Sequence, residues 1–225
     1  EAMTMDMEIL VLQEDQVLLK EVREVELLAY NQWQGMDTMP EVLAAFVTPN
    51  HPAIDDVLLE AAKLLKGQGD DPAFLGYQRR DIHDVRLQVH AIYTALARRK
   101  IKYIGPPASF TKSGQRIRLA SEVLEKGFGT CLDLTLLMAS CLEAISLHPL
   151  LILIHGHAFL GFWQEEEYFT EAVIYDGSSI KKRVAEGMAY IGLLETTVLR
   201  DGVAMTFDEA EEEAKKHFVL EESFL

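Results

Sequence analysis

The chain has 225 residues, 49% of them hydrophobic and 25% charged, with 14 Gly and 7 Pro. That composition belongs to a folded globular protein and excludes collagen-like, low-complexity and disordered classes. With 21 Lys and Arg against 36 Asp and Glu, the formal charge is −15, so the surface as a whole repels phosphate, which disfavours direct binding to nucleic acid or anionic membranes.

Residues 5–30 read as a β-hairpin. Met5, Met7, Ile9 and Val11 alternate with other residues, Glu14-Asp15-Gln16 interrupts, and a mixed Val/Leu/charged stretch resumes at Val17. Two strands alone are not a stable unit. The hairpin therefore either packs on the residues C-terminal to it or ends a preceding β-rich domain, and the second reading divides the chain into residues 1–30 and 31–225.

After Pro40 the period becomes helical. Val42, Leu43, Phe46 and Val47 suit a short helix, and Pro52 opens a second with Ile54, Val57, Leu58, Ala61, Ala62 and Leu65 on one face. Asp81 caps a third, which ends in the basic Arg98-Arg99-Lys100 where cations suit the macrodipole. Pro106-Pro107 excludes regular structure in the next segment. A short helix is expected over 121–125. Residues 131–145 are helical and apolar nearly all round, the mark of a buried helix. Residues 150–154 and 158–163 read as strands joined through His155-Gly156-His157. A helix over 178–187, a strand over 190–198 and an acidic helix over 207–217 complete the chain. The fold class is thus α+β.

No run reaches the roughly 18–20 apolar residues of a membrane span; the most apolar stretch, 148–163, is broken by Pro149, His155, Gly156 and His157. The opening Glu-Ala-Met lacks the basic start and apolar core of a secretory leader. Two cysteines make no disulfide framework and point to a reducing, cytoplasmic setting.

Candidate chemistry centres on Gly129-Thr130-Cys131-Leu132-Asp133. A thiol at a helix N-terminus is biased toward thiolate by the dipole and the free N–H groups, with Thr130 as cap and Gly129 leaving the backbone open to a ligand. The bland alternative is a small buried Cys. Cys141, about 15 Å along the same helix, cannot bridge to Cys131 and reads as core. A nucleophilic Cys needs a base and the base an orienting partner. His157 opens a strand that returns toward Cys131. Glu195, an acid inside an apolar stretch and flanked by hydroxyls, is costly unless paired. Asp176 in Tyr175-Asp176-Gly177 is the alternative third member, although Asp-Gly also simply makes turns. A Cys131/His155/His157 zinc site is conceivable by strand alternation but has no evident fourth ligand, so neither metal nor cofactor is expected.

Gly-Thr-Cys-Leu-Asp-Leu heading a buried helix, then His157-Ala158-Phe159, then an acid followed by Thr, resembles the transglutaminase-like, papain-type cysteine superfamily over residues 79–198. Its pattern is Gly-x-Cys-x-Asp, His-Ala-aromatic and Asp-x-Thr. Glu195 departs from the usual Asp, and the stretch between His157 and Glu195 is long. The resemblance implies a core in which the Cys-bearing helix packs on an antiparallel sheet, here with N-terminal helices and a β-hairpin added. It also implies amide-bond chemistry of hydrolase or acyltransferase type (protease, deamidase or transglutaminase) on a protein or peptide, with Cys131, His157 and Glu195 as triad and Gln115 as candidate oxyanion donor. Pro-Pro-Ala-Ser-Phe, Gly-Gln-Arg-Ile-Arg and Gly-His-Ala-Phe-Leu-Gly are further similar to a segment of large bacterial proteins that carry helicase or nuclease modules. This implies a fragment whose partners include other domains of a parent protein. The competing reading is a non-catalytic interaction module of the same fold.

Overall fold

The computed structural model describes residues 3–106, 114–185 and 188–220, with side chains as far as His217. Pro107 in the Pro-Pro segment, Gly187 at the expected end of one helix and the last five residues lie outside the described residues. The chain divides into two compact units, residues 1–32 and 33–225.

The first unit is an antiparallel hairpin of β1 (Met3–Gln13) and β2 (Gln16–Leu27), with Met3 opposite Leu27 and a bulge at Val11/Leu12. Glu14 and Asp15 both take positive φ, 46° and 67°, the two-residue turn whose twist matches the strands it joins. Leu10, Leu12, Val17 and Leu19 are all exposed, so the hairpin buries little of its own apolar surface.

The second unit is mixed α+β. A 3₁₀ turn at Pro40–Phe46 precedes α1 (Pro52–Gln68) and α2 (Ile82–Ala97). Pro52 occupies the first helical turn of α1, and the Asp81 side chain accepts from His83 N–H at 2.8 Å to cap α2. These helices pack on each other and, through residues such as Val57, Val89 and Ile92, against the central helix α4 (Cys131–Ala144). Every residue of α4 from Cys131 to Leu142 is buried, which is why its apolar residues surround the axis instead of forming a stripe. The short α3 (Ala120–Lys126) precedes it.

A three-stranded antiparallel sheet lies against α4, with β4 (His157–Trp163) between β3 (Pro149–Ile154) and β5 (Ile191–Leu194). Gly156, at φ 73°, makes the tight β3–β4 turn. Between β4 and β5 lies α5 (Ser178–Val184); α6 (Phe207–Leu220) closes the chain and packs on β5.

The strand expected over 190–198 stops at Leu194. Glu195 N–H donates to the Ala210 carbonyl of α6 at 3.1 Å, and the Glu195 side chain accepts from Thr197 N–H at 2.8 Å. The backbone thereby leaves the ladder and enters a 3₁₀ turn at Thr197–Leu199. Among the described residues no helix is long and apolar enough to cross a membrane.

Candidate active site

Cys131 is the first residue of α4 because Thr130 caps the helix reciprocally. The Thr130 hydroxyl accepts from Asp133 N–H at 3.2 Å, and the Asp133 carboxylate accepts from Thr130 N–H at 2.9 Å. Asp133 is fully buried and also receives Arg118 N–H at 2.9 Å and the Arg118 guanidinium at 3.1 Å. Its role is thus to fix the start of the helix. Gly129 is needed for close packing: a Cβ there would lie 3.1 Å from Asp133 Cβ. It is buried, so it does not leave an open backbone for a ligand as its sequence position suggested.

The residue at the other side of Cys131 comes from outside the motif. Lys102–Tyr103 pairs in parallel with Phe128–Gly129, through Lys102 N–H to Gly127 O at 2.8 Å and Ile104 N–H to Gly129 O at 2.9 Å. This pairing sets Tyr103 beside Cys131, which acts on its phenol. Burial, then the neighbouring Cys131, push the phenol up to about 12, so it stays a neutral donor.

His157 stands at the start of β4, in the neighbourhood of Cys131. Its Nε2 meets Glu195 Oε2 at 2.7 Å. Burial alone would lower the imidazole. The neighbouring Cys131 and the hydrogen bond and charge of Glu195 outweigh it and raise His157 from 6.5 to about 9. Glu195 is almost wholly buried, and burial favours its neutral form; hydrogen bonds from His157 and His217, the His157 charge and the Thr197 hydroxyl overcome this and hold the carboxyl at about 2.

Both carboxylate oxygens are occupied. Oε1 accepts from Thr197 N–H at 2.8 Å and from its hydroxyl at 2.7 Å; Oε2 faces His157, and His217 Nε2 at 3.4 Å. The segment is also fastened to α4. The Thr135 hydroxyl donates to the Cys131 carbonyl at 2.9 Å, so across its 2.9 Å contact with Thr196 it is the acceptor.

The structure therefore brings Cys131, His157 and Glu195 together, on α4, β4 and the segment after β5. Asp176 is not part of the cluster: its carboxylate accepts from Ser178 N–H at 2.9 Å and from the Ser178 hydroxyl at 2.7 Å, in an exposed turn. Gln115 is buried near the start of α4, but its Nε2 lies 3.3 Å from the Thr130 hydroxyl, while Oε1 has no partner. Its donor points at the helix cap. His155 sits exposed in the β3–β4 turn, because β3 ends at Ile154 and strand alternation no longer applies to it. A Cys131/His155/His157 metal set is accordingly not assembled.

Compared with protein-family models, with curated proteins and with solved structures, the chain finds no match. The chemistry of the site rests on its own geometry. An apolar recess of about 310 Å³ along Pro149–Leu153, walled by Leu43, Trp163 and Phe169 among others, contains none of the three clustered residues.

Tyr103 and His217 carry no signal in the sequence. One belongs to a two-residue strand and the other follows Phe207, Ala210 and Ala214 on the inward face of an acidic helix, and only the pairing of remote segments sets them at the site.

Proposed function

We propose that this chain carries out thiol-dependent amide-bond chemistry, as a hydrolase or acyltransferase, on a transglutaminase-like, papain-type core. The observation that carries the reading is the oriented imidazole: His157 Nε2 meets a buried, ionised Glu195 at 2.7 Å, and Cys131 at the start of α4 is among the groups that act on the same ring. In this reading the Cys131 sulfur attacks a substrate carbonyl while His157 holds the thiol proton. His157 then delivers that proton to the leaving amine, and Glu195 fixes the tautomer and stabilises the imidazolium. The acyl group on sulfur leaves to water in hydrolysis or to an amine in transfer. The Cys131 backbone N–H, in the first helical turn where no intrahelical acceptor precedes it, and the Tyr103 hydroxyl are the donors for the oxyanion. The likeness to a segment of helicase-associated bacterial proteins makes other domains of a parent chain its natural partners.

A second reading, a non-catalytic interaction module, is favoured by the complete burial of Cys131 and by the exposed apolar hairpin of the first unit. Alkylation separates the two. With iodoacetamide at about pH 6, where an ordinary thiol is almost wholly protonated, adducts on Cys131 and not on Cys141, lost in His157→Ala, support the enzyme. Equal inertness of both cysteines refutes it.

A further inference from the structure

Glu195 Oε2 is approached by two imidazoles: His157 Nε2 at 2.7 Å from β4 and His217 Nε2 at 3.4 Å from α6. The rings are 4.8 Å apart, and one donor atom from each of the three side chains lies within 4.8 Å of the others. The thiol chemistry uses one of these imidazoles; the second has no task in it.

We propose that His157, Glu195 and His217 form a binding site for a divalent cation of the zinc class. Two imidazole nitrogens and one carboxylate oxygen are a donor set that zinc accepts, with a fourth position left to water. Calcium and magnesium prefer oxygen-only sites. Zinc bonds of about 2.0–2.1 Å in tetrahedral geometry place donors about 3.3 Å apart. The His217–Glu195 distance of 3.4 Å meets that value, and the His157–Glu195 distance of 2.7 Å needs to open by about half an ångström.

The adjustable member is His217, whose side chain is 35% exposed, whereas that of Glu195 is 2% exposed. The carboxylate is already oriented by the two Thr197 hydrogen bonds on Oε1, which leave Oε2 for the cation. The site draws on three elements that are remote in sequence, so it exists only in the folded chain. The cation takes the same His157 Nε2 that Glu195 holds in the structure, so cation binding and the His157–Glu195 hydrogen bond exclude each other. That last consequence rests on the thiol reading for its functional meaning; the site does not.

The test uses the whole chain, stripped of metal, titrated with Zn²⁺ by calorimetry and with Co²⁺ by visible absorption. One equivalent is expected to bind, with affinity lowered by about tenfold or more in His217→Asn and in Glu195→Gln, and unchanged in Cys131→Ser and His155→Asn. Melting curves of each variant establish that it is folded; His217 is exposed enough for its substitution to be tolerated. The proposal is overturned by the absence of saturable binding, by equal binding in His217→Asn, or by a thiolate-to-Co²⁺ band that disappears in Cys131→Ser and so puts the cation on sulfur. A chain that binds zinc as expected yet leaves Cys131 inert to iodoacetamide refutes the thiol chemistry and leaves the cation site standing.

Discussion

Glu195→Gln removes a charge while keeping the length of the side chain and its capacity to hydrogen-bond His157. In the native protein burial disfavours the His157 imidazolium, and the neighbouring Cys131 with the hydrogen bond and charge of Glu195 more than reverse this, moving the group from 6.5 to about 9. That difference corresponds to about 3 kcal/mol in favour of the charged form. Two partners supply it, and burial persists when one is neutralised. The His157 midpoint in Glu195→Gln is therefore expected to fall by at least about one pH unit, or about 1.4 kcal/mol. The assay is a proton–nitrogen correlation spectrum of the histidine rings in metal-stripped protein, with His157 assigned by its loss in His157→Gln. A midpoint unmoved by the substitution, or a native midpoint at the ordinary value, refutes the account of the site.

The sign for stability comes from the same pair. A base raised from 6.5 to about 9 contributes stability in full below 6.5 and loses it as pH rises through 9, whereas an acid lowered from 4.5 to about 2 contributes above 4.5 and loses it as pH falls through 2. The stability gap between the native chain and Glu195→Gln is thus widest between about pH 4.5 and 6.5 and narrows toward about pH 9, as urea unfolding at several pH values will record.

Three further outcomes are expected. Burial pushes Cys141 up to about 12, so peptide mapping of native protein after iodoacetamide treatment finds it unmodified, and labelling appears only once the chain is unfolded. Gly192→Ala places a Cβ between 2.3 and 2.8 Å from three Phe162 ring atoms; overpacking of this kind costs about 1–3 kcal/mol, to be measured by denaturant titration. Asp133→Ala removes the capping partner of Thr130 and the buried acceptor of Arg118. A loss of about 2–3 kcal/mol in unfolding free energy is expected, with a loss below about 1 kcal/mol contradicting the capping role.

How much of this arrangement could be read from the chain depends on whether a residue's position is dictated by its neighbours. Thr130 and Asp133 stand three apart before an apolar run, and a reciprocal cap can be inferred from that spacing alone. β3 and β4 are marked by apolar runs on either side of His155-Gly156, and they pair through a tight turn. Glu195 stands out because a carboxylate inside an apolar stretch demands a partner. The same demand ends the strand sooner than the residue pattern implies: a buried Glu195 draws the Thr197 N–H and hydroxyl to itself, its own N–H goes to Ala210, and the ladder stops at Leu194. Asp176 and Gln115 show the converse. Each has the right chemistry, but another group engages it: Ser178 donates to Asp176, and the Thr130 hydroxyl accepts from Gln115.

Tyr103 and His217 depend on contacts between segments far apart in the chain, a two-residue parallel pairing and a helix laid on β5; the stripe Phe207, Ala210, Ala214 and His217 marks which face of that helix is inward but not what it meets. A buried acid in an apolar run therefore predicts that a partner exists, but not how many partners there are. In this chain the second partner, His217, is what turns an acid–imidazole pair into a set of donors that a cation can hold.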